Sequence, residues 1–70
     1  MKKYLIVFEK TKTGYSAFVP DLPGCIATGD TKQKTEELIY NAVKFHIDGM
    51  KEENIAIPEG NAESETFIFT

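Results

Sequence analysis

One histidine, one cysteine and eleven carboxylates are the side chains in this 70-residue chain with the chemistry for proton transfer, nucleophilic attack or metal binding. Their spacing supports none of these well. His46 falls on the apolar side of a stretch with helical period, where a packed, hydrogen-bonded imidazole is the ordinary role and a catalytic base the rare one. Cys25 follows Pro23-Gly24 with no cation or second cysteine nearby in sequence to lower its pKa, so it reads as a small buried residue. A single cysteine forms no internal disulfide, and one cysteine with one histidine is too few for a structural zinc site. Glu36-Glu37 and Glu52-Glu53 are adjacent pairs, and neighbours on a helix point apart, so neither makes a shared acid/base site. Two-metal phosphodiester cleavage needs several carboxylates gathered at strand ends, and the first strand offers Glu9 alone. Gly24 and Gly29 lack the spacing of a phosphate-cradling loop. The expectation is a protein that is not an enzyme, with no catalytic residue, cofactor or metal.

Charge points to a protein partner. The net charge is −3, and all eight basic residues are lysine. Arginine is the usual bidentate reader of guanine and a preferred phosphate clamp, so no direct DNA binding is expected from this chain. Residues 1–35 sum to +3 and residues 36–70 to −6. An acidic half of this kind steers a basic partner, or is an ordinary solvated surface. The apolar run Tyr4 to Phe8 is too short for a signal peptide and nothing approaches a membrane span, so a cytoplasmic location is expected by default.

The elements that would position these residues are legible in order. Tyr4 to Phe8 is a continuous run of β-formers and reads as a first strand. The polar Lys10 to Gly14 segment is a hairpin loop into a second strand, Tyr15 to Val19, which Pro20 closes because it has no N–H for a ladder. Leu22-Pro23-Gly24-Cys25 fits a type II turn, with Pro23 setting φ near −65° and Gly24 supplying φ > 0. Cys25 to Thr28 returns as a third strand. Gly29-Asp30-Thr31 then breaks it and offers a helix cap, either Asp30, three residues before Gln33, or Thr31. From about Lys32 to Glu53, Leu38, Ile39, Ala42, Val43, His46, Ile47 and Met50 recur at helical spacing. Ile57-Pro58 argues that the helix has ended by then. Pro58 to Glu65 reads as a polar linker, and Thr66 to Phe69 as a short fourth strand.

The order β-β-β-α-β predicts one α+β domain over residues 1–70, a two-layer sandwich with sheet order 3-2-1-4, the helix acting as the crossover to a last strand parallel to the first. Alternation puts Tyr4, Ile6 and Phe8 on one face and Leu5 and Val7 on the other, with Phe18 opposing Tyr15, Ala17 and Val19. The fourth strand repeats this, with Phe67 and Phe69 opposing Ile68. One helix covers one face, so the surplus predicts a homodimer or higher assembly. The candidate partner- or self-interface residues are Tyr15, Phe18, Phe45, Phe67 and Phe69. Phe45 stands at the edge of the helix stripe, where core margin is its ordinary reading.

A strand ending in Val19-Pro20-Asp21-Leu22-Pro23-Gly24-Cys25, then a short strand, Gly29-Asp30-Thr31 and an amphipathic helix containing His46-Ile47-Asp48-Gly49-Met50, resembles the HicB family of antitoxins. The likeness runs from Tyr4 to about Pro58, with Tyr15 also matching. It implies a partial ribonuclease H fold, with Pro20, Asp21, Leu22, Pro23, Gly24 and Cys25 as turn scaffold. The implied function is to cover the active surface of a small basic HicA-like mRNA-cleaving toxin. Lys32-Gln33-Lys34-Thr35 departs from the acidic residues and alanine usual in similar proteins, implying a weaker cap. Full antitoxins of this family commonly append an operator-binding module, for which 70 residues leave no room. The alternative is a free-standing homo-oligomer of structural or small-ligand-binding role. A metal-dependent nuclease built on Glu9 is the remote third.

Overall fold

The computed structural model describes residues 2–70. Strands β1 (Val7–Lys10), β2 (Tyr15–Phe18) and β3 (Ile26–Gly29) form an antiparallel meander, followed by a 21-residue helix, α1 (Lys32–Glu52). The class is α+β, as expected. Val7 pairs with Phe18 and Lys10 with Tyr15, while Phe18 also pairs with Ile26 and Tyr15 with Gly29.

Two expectations need correction. The first strand lies three residues later than its apolar run, because the loop after Lys10 sets which residues face β2. The ladder then ends at Val7, where β2 gives way to Pro20 and its turn. The second concerns the fourth strand and the 3-2-1-4 order. The sheet has three strands in the order β1-β2-β3, and residues 66–69 belong to no ladder of this chain. The physical reason lies in segment 58–62, described below, which carries the chain away from β1's free edge.

The β2–β3 connection is two turns in series. Leu22 N–H donates to Val19 O at 3.1 Å, and Cys25 N–H to Leu22 O at 3.1 Å. Gly24 has φ +86°, as the type II turn requires. Val19 N–H to Cys25 O at 3.3 Å closes the pair.

Thr31, not Asp30, is the N-cap: its hydroxyl accepts from Lys34 N–H at 3.0 Å. Thr35 answers the departure in the first helical turn. It is fully buried, and its hydroxyl donates to Thr31 O at 2.8 Å, so the position tolerates a polar atom. It fits because Gly29 has no side chain: a Cβ there would sit 2.7 Å from Thr35 Oγ1. At the other end Asn54 adopts φ +57°, Asn54 N–H reaches Lys51 O and Ile55 N–H reaches Met50 O, the paired bonds of a Schellman motif.

The helix packs on β3 and β2. Ala17, Val19, Leu22, Cys25 and Ile39 form the buried core, with Tyr4, Ile6, Phe8, Ala27, Ala42 and Val43 packed around it. Four of the five core residues come from β2 and the turn that follows it, so the Pro-Asp-Leu-Pro-Gly-Cys run is the centre of the fold.

Candidate functional site

The chemistry-bearing side chains do not converge. Cys25 is buried in the core, where desolvation pushes its thiol pKa up and keeps it protonated. His46 is half-buried beside Phe45, Met50 and Ile55 at the far end of the helix, and Glu9 is exposed on β1. Among the described residues, no three of His, Cys, Asp and Glu stand close enough together to hold a metal ion.

What the fold presents instead is apolar surface in four places. The face of the sheet away from the helix carries Val7, Phe18 and Ile26 in register across the three strands, and Ile26 is 65% exposed. On the opposite face, β1 extends beyond the helix's cover. Tyr4, Ile6 and Phe8 there form one wall of an open groove of about 780 Å³, with Ile39, Tyr40 and Val43 as the other and Glu36 and Glu37 at its rim. Lys32 Nζ lies 5.2 Å from the centre of the Phe8 ring at this groove. The third is the solvent side of the helix. Phe45 is 83% exposed there, correcting its reading as core margin, with Leu38 seven residues before it and Asp48 and Glu52 three and seven after. The last is the C-terminus, where Phe67, Ile68 and Phe69 are 67%, 89% and 87% exposed. Tyr15 is half-buried and contributes its carbonyl to Thr35 Oγ1 at 3.5 Å.

Segment 58–62, expected as a linker, is a strap fastened at both ends. Tyr4 hydroxyl donates to Pro58 O at 2.6 Å, and Lys2 Nζ meets Glu59 Oε1 at 2.6 Å. That pair raises the lysine pKa and lowers the carboxyl one, chiefly through the hydrogen bond between them. Gly60 lies so close to the Lys3 carbonyl that no Cβ fits between them. Asp21 Oδ2 then accepts from both Asn61 N–H, 3.1 Å, and Ala62 N–H, 3.0 Å. The strap therefore runs from the residues that precede β1 to the β2–β3 turn. Asp21, read from sequence as turn scaffold, is also the anchor of the chain's last segment. Gly60, between Pro58 and Asn61, was the available signal, because glycine so often marks a close backbone approach.

The meander, the Pro-Gly turn, the Thr-capped helix and the apolar faces can be set beside known proteins. The chain is 38% identical over 65 residues to a UPF0150 protein of Thermoplasma acidophilum, covering 91% of this chain and 94% of that one. An uncharacterized protein from the rep-hol intergenic region of Haemophilus phage HP1 is 41% identical over 58 residues, 83% of this chain but 44% of its own length. Antitoxin HicB 2 of Photorhabdus laumondii is 27% identical over 66 residues, 94% of this chain and 48% of that protein. The chain thus spans about half the length of the last two and nearly all of the first. The model of the HicB-like antitoxin of bacterial toxin-antitoxin systems matches residues 4–67, and with that extent of match the chain belongs to the HicB-like antitoxin family.

Proposed function

We propose that this protein is an antitoxin that binds a small basic HicA-type ribonuclease and blocks access of mRNA to its active surface. The match to the HicB-like family over residues 4–67 carries the reading. The helix face supports it: Phe45 and Leu38 are apolar contacts on a surface that also holds Asp48 and Glu52, both exposed. An aromatic anchor with two carboxylates beside it suits an RNA-binding protein, whose positive surface would otherwise attract phosphates. The mechanism is occlusion by competition, and it asks no bond-making chemistry of this chain.

The test is co-purification from the native host with this chain as bait, then RNA cleavage by the captured protein with and without added chain. A small basic nuclease that stops cleaving on addition establishes the function. Phe45→Ala should weaken its inhibition about tenfold or more, and raised salt should slow association. Capture of copies of this chain alone would support the free-standing oligomer instead.

A further inference from the structure

The accessible surface is 5797 Å², whereas a compact monomer of 7.9 kDa should expose about 4,400 Å². The excess of about 1,400 Å² is more than the roughly 800 Å² that each partner gives to an ordinary stable interface. The Cα radius of gyration, 13.6 Å, likewise exceeds the value of about 11 Å for a compact chain of this length. Phe67, Ile68 and Phe69 of the C-terminal segment are exposed and the groove beside β1 is open. The segment Thr66-Phe67-Ile68-Phe69-Thr70 is a short apolar run between threonines that lacks charge, glycine and proline and is rich in β-formers, which are the marks of a strand. The rings of Phe67 and Phe69 already share a side, 6.4 Å apart between centroids.

The strap keeps this segment from β1 of its own chain. Once Asn61 and Ala62 are bound to Asp21, the chain has passed to the β2–β3 turn, on the paired side of β1, while the unpaired edge lies on the other side. We propose that residues 66–70 of one copy add as a strand to the free edge of β1 in a second copy, reciprocally. Phe67 and Phe69 enter the groove between β1 and α1 against Tyr4, Ile6 and Tyr40, and Ile68 extends the outer Val7–Phe18 face. Strand addition satisfies the edge N–H and C=O groups, and alternate side chains fill the groove. A reciprocal exchange uses the same two surfaces on each copy and closes as a two-fold dimer.

Light scattering on the full chain alone, at tens of micromolar, should give twice the chain mass or an even multiple of it. The Phe67→Asp/Phe69→Asp double variant should give the monomer mass with its helical circular dichroism retained, because both rings are exposed within one chain. In a mixture of isotope-labelled and unlabelled protein, filtered NOE spectra should connect the Phe67 and Phe69 rings to Tyr4 and Ile6 of the other copy. A monomeric full chain, an assembly indifferent to the double change, or ring contacts confined to one chain would each overturn the proposal. None of these readouts involves a toxin, so the antitoxin reading stands or falls separately.

Discussion

Asp21 binds two backbone N–H groups that would otherwise need water, and it does so from a turn 40 residues earlier in the chain. Hydrogen bonds to a charged acceptor contribute more than neutral ones, so Asp21→Ala should cost about 1.5–3 kcal/mol. The same change should make the 58–63 peptide bonds sensitive to limited proteolysis while the helix stays protected. Equal cleavage in both proteins would show that the strap holds without its anchor. Gly24 poses a different problem, because no neighbour lies within 4 Å of where its Cβ would stand. A substitution there meets no clash, only the strain of φ +86°. Gly24→Val is expected to cost about 1–3 kcal/mol, and Gly24→Asn less, since asparagine tolerates the left-handed region. Thermal melts of the two variants separate backbone strain from packing.

Among the elements, α1 is closed at both ends by local bonds, from Thr31 at its start and the Schellman pair at Asn54, so its limits need little from the rest of the fold. The strap is the opposite case, because all its partners are distant in sequence. Its Lys2–Glu59 pair depends on pH in both directions. Glu59 is held below the usual carboxylate range, so its contribution is present above that range and is lost as pH falls through the lowered value. Lys2 is held above the usual lysine value, so its contribution is present below that value and is lost as pH rises through the raised one. The pair should therefore fasten the strap between about pH 5 and pH 10, and salt should weaken it because both groups reach solvent. The side-chain carboxyl carbon shift of Glu59 should titrate below the usual carboxylate range, and in Lys2→Ala that titration should move back up towards it. An unchanged Glu59 titration in the variant would show that the pair does not hold the carboxyl down.

At the scale of the molecule, the five buried apolar residues among those described make a small core, and apolar burial nearly cancels conformational entropy in chains this short. Phe18 lies on the outer face between Val7 and Ile26. Phe18→Asp should lower the melting temperature by several degrees, about 4–8 °C per kcal/mol for a domain of this size, or reduce the assembly's mass. Unchanged melting and mass would make that face plain surface and remove the argument from surplus apolar area. The helix limits, the meander, the type II turn and the Thr31 alternative were legible in the chain because each rests on residues within a few positions of one another. β1's register was not: Tyr4, Leu5 and Ile6 have the composition of a strand, and only the position of β2 leaves them outside the ladder.

By itself, then, the sequence determined the α+β class, the order of the three strands and the helix, the helix span to within about a residue, the positive φ at Gly24 and the family. These follow from short-range constraints: proline's missing donor, glycine's free φ, a hydroxyl three residues from an amide, and apolar spacing. Tertiary structure alone decided that Asp21 anchors residues 61 and 62, that Gly60 lies against Lys3, and that Phe45 faces solvent. It also decided that the last apolar segment stands off its own sheet. Those outcomes depend on where distant segments meet, and local pattern does not specify that. A strand-like tail reads the same whether its edge lies in its own chain or another, until the strap that aims it is in place.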